Sequence, residues 1–200
     1  MRNHPERKSP RLQGYDYSRP GAYFITACTK NREFLFEPND AHKAVLSAWY
    51  SVLDIFANIV LGEFVVMSNH IHAIIWILAE GAYRLHPGTW KNDNPRRGGQ
   101  MPAPTGIVEF ESLSNIVGAF KTTAASRVNK LRGVLGTPVW QRSFYDRIVR
   151  NDHELECIQH YIRMNPVKWV QDRDNSMGIK FYPPAKSIDD YWVEIFDVHV

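Results

Sequence analysis

The alternation of apolar and polar positions along the chain predicts four strands. A β-branched and aromatic run over residues 21–29 predicts the first strand. Two further apolar runs, 59–67 and 70–78, are separated by only Ser68-Asn69, a junction short enough for a tight hairpin. Residues 139–150 predict the fourth strand, because aromatic and β-branched residues are again enriched there.

Three other segments carry apolar residues at helical spacing and predict helices over 40–57, 111–132 and 152–165. The third helix is predicted to begin after a cap at Asn151 and to stop before Pro166. The element order β-α-β-β-α-β-α is typical of a ferredoxin-like split βαβ arrangement, an α+β fold. We therefore expect an antiparallel sheet with the helices mainly on one face and its other face free.

Length and composition predict a single domain with a basic arm, a polar loop and a C-terminal tail. A chain of 200 residues that is 44% hydrophobic can bury one core without disulfide or zinc staples, and its two cysteines form no CxxC pair. We expect the domain to span residues 1–174, including a basic arm (1–20) and a flexible polar loop (79–108), with a C-terminal tail over 175–200. Because neither a signal peptide nor a membrane span is evident, we expect a cytoplasmic protein with no membrane partner.

The charge distribution is uneven and indicates a polyanion as partner. Residues 1–32 carry seven Arg or Lys against two acidic residues, and residues 112–150 carry seven against Asp146 alone. Residues 171–200 reverse the balance, with three basic and six acidic residues. A body with two basic segments is typical of proteins that bind nucleic acid, although ordinary surface charge explains the composition about equally well. The candidate phosphate contacts in the second segment are Arg127, Lys130, Arg132, Arg142, Arg147 and Arg150.

His70 and His72 are the first candidates for chemistry. Alternate residues of a strand point to the same face, so both imidazoles are expected on one side of the sheet, where they could bind one divalent cation. The spacing alone is a weak signal. Two hydrogen-bonded core histidines are the alternative.

Tyr161 and Asn165 lie one helical turn apart at the border of the apolar stripe of the third helix. Taken alone, a phenol at a helix edge is more often an amphipathic anchor, and an asparagine before a proline is a common helix end. Tyr145 is a rival nucleophile, but its place beside Phe144 on a predicted strand favours a structural role.

Five blocks resemble, in the same order, the REP-associated tyrosine transposases, a branch of the HUH single-tyrosine transposases. The resemblance covers about residues 8–174. The blocks are GYDYSRPGAYF (14–24), FVVMSNHIH (64–72), IVGAFK (116–121), VWQRSFYDRIVRN (139–151) and YIRMNPVKW (161–169).

This resemblance implies a metal-dependent endonuclease and strand transferase that acts on single-stranded DNA carrying a hairpin. It implies that His70, His72 and Asn165 bind a divalent metal, Mg²⁺ or Mn²⁺, and that Tyr161 is the nucleophile that forms a 5′-phosphotyrosine. The protein would act as a monomer or a homodimer. Two alternatives stay open: a domesticated hairpin-binding protein that no longer cleaves, and a metal-dependent hydrolase. The hydrolase lacks the nearby carboxylates that such enzymes usually need, since Glu63 lies on the preceding strand.

Overall fold

A computed structural model describes residues 12, 14–37, 39–79 and 111–169. The strands form one four-stranded sheet in the order β2-β3-β1-β4, and every neighbouring pair is antiparallel. This is the order of a ferredoxin-like fold, so the predicted α+β architecture is confirmed. The elements are β1 (Gly21–Cys28), α1 (Asn39–Ser51), β2 (Ile59–Val66), β3 (His70–Ile77), α2 (Leu113–Leu131), β4 (Tyr145–Val149) and α3 (Asp152–Lys168).

The larger core lies between the sheet and the helices α1 and α2. Tyr23 and Ile25 of β1 point into it and are fully buried. Trp49 of α1 stacks on Phe64 at a centroid distance of 4.5 Å and meets Phe120 of α2 edge-on at 5.4 Å. These aromatic contacts join both helices to β2, as the helical spacing of their apolar residues predicts.

The opposite face of the sheet is not free, and this corrects the sequence expectation. Helix α3 packs there, with Ile158 and Ile162 buried against Phe24 of β1 and Ile74 of β3. The two central strands are apolar at successive positions, so both of their faces need cover from water. Two of the three helices still lie on one face, which agrees with the prediction that the helices are mainly on one side.

The start of α3 is predicted correctly and its end is not. Asn151 caps the helix, because its Oδ1 accepts a hydrogen bond from Glu154 N at 2.8 Å. The helix continues through Pro166 to Lys168 instead of stopping at Asn165. A proline this close to a C-terminus removes only its own N–H bond, and the following residues complete the last turn.

The fourth strand is shorter than predicted because its first part leaves the regular ladder. β4 covers only Tyr145–Val149, and Trp140 makes an isolated bridge to Thr29.

The first helix also ends earlier than predicted. Helix α1 stops at Ser51, and a 3-10 turn, Val52–Asp54, follows it.

Several predicted segments lie outside the described residues, namely most of the arm (1–20), the loop from residue 80 to 108 and the tail (175–200). The division into a domain over 1–174 and a tail stays a prediction. Within the described ranges, no helix is both long enough and apolar enough to cross a membrane.

We expect Gly62→Ala to destabilise the protein. A Cβ atom at Gly62 of β2 would lie 2.9 Å from Cβ of Ile74, so β2 and β3 would have to separate at the irregularity between Leu61 and Phe64. Such overpacking lowers the free energy of unfolding by about 1–3 kcal/mol. Urea denaturation followed by circular dichroism measures the loss.

Gly118→Ala is the matched control. Gly118 is exposed on α2 and a Cβ atom there meets nothing within 4 Å. Alanine has the higher helix propensity, so this variant gains up to about 1 kcal/mol. Equal stability of the two variants would contradict the close approach of β2 and β3.

Candidate active site

The two histidines of β3 lie side by side under α3. His70 and His72 are buried, with 1% and 5% of their surface exposed. Their rings are 4.6 Å apart, and the two Nε2 atoms approach to 3.1 Å. The strand alternation therefore places both imidazoles on one face, as the sequence predicts.

Hydrogen bonds on the far side of each ring fix which nitrogen faces the other ring. His70 Nδ1 donates to Asn69 Oδ1 at 2.7 Å, because that oxygen can only accept. His72 Nδ1 is hydrogen-bonded to Thr26 Oγ1 at 2.7 Å. Both Nε2 atoms are thus turned toward a common centre, the orientation that ligating histidines receive from their outer partners.

Burial keeps His72 neutral. Desolvation lowers the pKa of His72 well below its usual value, and the neighbouring His70 and the positive charge of Arg32 lower this pKa further. A neutral imidazole keeps a lone pair for a cation or a hydrogen bond.

Tyr161 reaches this centre from α3 of the same chain. Its Oη lies 3.1 Å from His72 Nε2, and its ring meets the His72 ring at a centroid distance of 5.0 Å. Phe24 of β1 stacks on His72 and touches Tyr161 edge-on, so the phenol is held against the sheet by apolar contacts. The phenol is therefore not a solvent-facing anchor of the helix.

Asn165 lies on the same stripe of α3, between two residues that touch the histidines. Tyr161, one turn before it, contacts His72, and Trp169, one turn after it, packs on His70 at 5.4 Å. Asn165 is 3% exposed, and its Oδ1 has no hydrogen-bond partner within the described residues. A buried carbonyl of this kind costs about 1–3 kcal/mol unless something binds it.

The donor set fits a divalent metal. Two nitrogens that bind one ion at about 2.1 Å and at right angles are about 3.0 Å apart, close to the 3.1 Å between the Nε2 atoms. The unpaired amide oxygen of Asn165 is a ligand type that such ions accept. No group of three or more His, Cys, Asp or Glu side chains that could hold a metal occurs in the described part of the chain. An amide ligand would have to complete the site.

Tyr145 and Glu63, the alternative candidates for chemistry, lie elsewhere on the sheet. Tyr145 pairs with Thr26, one strand further from His72, and its ring packs edge-on against Phe24 at 6.4 Å. Glu63 Oε1 lies 3.6 Å from Arg163 Nη1. This carboxylate is thus engaged by an arginine of α3.

The six predicted phosphate contacts do not form one patch. Arg127, Lys130 and Arg132 belong to α2 or its end, across the sheet from Tyr161, and Arg127 donates to Ser47 Oγ of α1 at 2.8 Å. Arg147 donates from Nε to Glu154 Oε1 at 2.5 Å, and Arg150 follows β4 at the end of the sheet away from the histidines. Arg142 is exposed just before β4.

Sequence reasoning missed the residues that orient the site. Thr26 and Asn69 hold the two imidazoles, and Trp169 covers His70. Only the register of β1 against β3, which pairs Thr26 with His72, could have indicated Thr26. Asn69 adjoins His70 in the sequence, so a search for side chains that orient the histidines could have found it.

The fold and the site together define a ferredoxin-like domain in which an added helix brings a tyrosine to a pair of histidines. No model of a known protein family matches the chain. An uncharacterised protein of Haemophilus influenzae is 32% identical over 177 residues, which cover 84% of this chain and 92% of the relative. The chain belongs to the same family as that protein.

A solved structure of a REP-associated tyrosine transposase bound to a REP hairpin has the same fold. It matches with a TM-score of 0.50 at 19% sequence identity, over 80% of this chain and 73% of the transposase chain. The resemblance that the five sequence blocks indicate is thereby confirmed at the level of the fold.

The lowered pKa of His72 predicts a pH-dependent stability in metal-free solution. Below the ordinary value of 6.5 the unfolded chain binds a proton that the folded protein does not bind. The free energy of unfolding therefore decreases as the pH falls below about 6.5. Urea denaturation between pH 7.5 and 5.5 in EDTA measures this.

His72→Gln is the control, because it removes the titrating group. The free energy of unfolding should change more steeply with pH in the wild type than in this variant. Equal slopes would mean that His72 titrates normally.

Proposed function

We propose that this protein is a metal-dependent enzyme that cuts and rejoins single-stranded DNA carrying a hairpin, through a 5′-phosphotyrosine intermediate. The observation that carries the proposal is the 3.1 Å approach of Tyr161 Oη to His72 Nε2, beside the buried Nε2 atom of His70. A phenol brought to two aligned imidazoles under a helix is suited to attack a phosphate bound at that point.

In the reaction, Tyr161 Oη attacks phosphorus and the bond from phosphorus to the 3′-oxygen breaks. The proton lost by the phenol is balanced by the proton that the released 3′-hydroxyl takes up. Because the new phosphotyrosine is itself a phosphodiester, the strand can be rejoined without a nucleotide cofactor. Phe24 and His72 hold the phenol ring in place, so less entropy is lost when the phosphate arrives.

His70, His72 and Asn165 would hold the metal, Mg²⁺ or Mn²⁺. The ion would supply positive charge that offsets the negative charge developing on the phosphate oxygens. Asn69 and Thr26 keep the two Nε2 atoms turned toward that position. Two imidazoles suit Mn²⁺ better than Mg²⁺, since Mg²⁺ prefers oxygen ligands.

The substrate class rests on the fold and the charge. The solved transposase with this fold is bound to a REP hairpin. The net charge of +3 suits a polyanion such as a DNA backbone. Tyr161 is part-buried between α3 and the sheet, and a flexible single strand reaches such a phenol more easily than a duplex. Within the described residues no third His, Cys, Asp or Glu joins the histidine pair, which disfavours the hydrolase alternative, because such an enzyme needs carboxylates beside its metal.

We expect Asn165→Ala to weaken Mn²⁺ binding. If the amide oxygen is a ligand, its loss lowers the affinity at least about 10-fold. Titration of the free Mn²⁺ signal by electron paramagnetic resonance measures this. Asn129→Ala is the control, since Asn129 Oδ1 is also buried without a partner in the described residues, but lies on α2. Equal affinities of the two variants would exclude Asn165 as a ligand.

We expect Tyr161→Phe to abolish the covalent adduct between protein and DNA while binding persists. The substrate is a 3′-labelled single strand with a hairpin and unpaired flanks, because the protein becomes joined to the 5′ end of the downstream fragment, which carries the 3′ label. Incubation with Mn²⁺ and a denaturing gel reveals the adduct.

Tyr145→Phe is the matched control and should keep the adduct, since its ring packs on Phe24 one strand away. An adduct with Tyr161→Phe would refute the assignment. A wild type that binds the hairpin and never forms an adduct would instead support the non-cleaving alternative.

A further inference from the structure

Lys121 of α2 lies outside the candidate active site, and its ammonium group is hydrogen-bonded through all of its donors. Nζ donates to three successive backbone carbonyls, Gln141 O at 2.7 Å, Arg142 O at 3.2 Å and Ser143 O at 3.3 Å. An ammonium group has three donors, so all are used. Burial lowers the pKa of Lys121.

The bound segment is a bulge at the end of the sheet. Thr29 bridges Trp140 and Thr26 pairs with Tyr145, so the two residues 27 and 28 face four residues, 141–144. Gln141 N donates to Cys28 O at 2.9 Å, and the extra residues leave the ladder beyond that bond. Trp140 Nε1 donates to Lys121 O at 2.9 Å, so the backbone of Lys121 also binds the residue that precedes this segment.

The bulge lies level with the histidine pair. On β1, Thr26 is paired with His72 and Cys28 with His70. The bulge lies beside the same part of β1, two strand spacings or about 10 Å from the histidines. A DNA strand bound at the histidine pair would therefore have its neighbouring phosphates within reach of a long side chain on the bulge.

Arg142 is the exposed cation of this bulge, and its side chain has no partner within the described residues. The other candidates are engaged or distant. Arg147 is bound by Glu154, Arg127 contacts Ser47 on the far layer, and Arg150 follows β4 five residues beyond Tyr145, about 16 Å along the strand.

We propose that Arg142 binds a backbone phosphate next to the one that Tyr161 attacks, and that Lys121 is the positioning residue that fixes the bulge carrying Arg142. The proposal rests on the proposed function, since it needs a DNA strand at the histidine pair. Lys121 would orient the bulge, because three carbonyls bound by one ammonium group fix the direction of the peptide units between them.

The test is the salt dependence of binding to a fluorescent dT20 oligonucleotide without metal. Each phosphate contact on a single strand contributes about 0.7 to the slope of log K against log salt. Arg142→Gln should lower the slope by about 0.7 and weaken binding about fivefold at low salt. Lys43→Gln, an equal charge change at an exposed site on α1, should leave the slope unchanged. An unchanged slope with Arg142→Gln overturns the assignment of Arg142.

Lys121→Met, checked for folding by thermal denaturation, should lower the slope equally. The double variant, Lys121→Met with Arg142→Gln, should have the same slope of log K against log salt as Arg142→Gln alone. If the two substitutions lower the slope additively, the positioning role of Lys121 is overturned. Lys121→Gln, which keeps two donors, replaces it if the methionine variant is unfolded. A wild type that binds neither dT20 nor the hairpin strand of the adduct experiment would overturn this proposal together with the proposed function, and a wild type that binds only the hairpin strand would overturn this proposal alone. A wild type with normal binding and an unaffected Arg142→Gln variant would overturn this proposal alone.

Discussion

The burial of two imidazoles between the sheet and α3 is the constraint on which the site depends. His70 and His72 are almost inaccessible to water, so each ring nitrogen needs a partner inside the protein. Asn69 and Thr26 provide one partner each, and Tyr161 approaches the shared centre from the helix. The two Nε2 atoms lie 3.1 Å apart, and Asn165 Oδ1, one helical turn from Tyr161, is buried without a partner in the described residues. A pair of ordinary core histidines does not require such an unpaired amide beside it.

Local signals account for what the sequence predicted well. The periodicity of apolar residues indicated the elements and their order, and the Asn151 cap marked the start of α3, because both depend on neighbouring residues. The end of α3 was wrong because Pro166 sits in the last turn, where its missing N–H matters little. The position of α3 on the second face could not be read from local pattern. It depends on which strands become central, and therefore on long-range pairing.

The candidate site was likewise predictable from sequence pattern only where it depends on neighbouring residues. Alternation on β3 predicted that His70 and His72 share a face, which the structure shows. The proximity of Tyr161 came from the family resemblance, since no spacing rule relates a residue of α3 to one of β3. Likewise, six basic residues from one stretch of sequence are distributed over both layers of the fold. Position along the chain does not tell which layer a residue joins.

The two faces of the sheet carry apolar cores of unequal size. Within the described residues, the side with α1 and α2 buries twenty-three apolar residues in one cluster, and the side with α3 buries five. Local stability follows buried apolar contact, so we expect α3 to open more easily than the central strands. Amide protons of β1 and β3 should therefore exchange on the timescale of global unfolding, while those of α3 exchange through a smaller, separate opening. Substitutions in α3 can then displace Tyr161 from the histidine pair and leave the remainder of the domain folded.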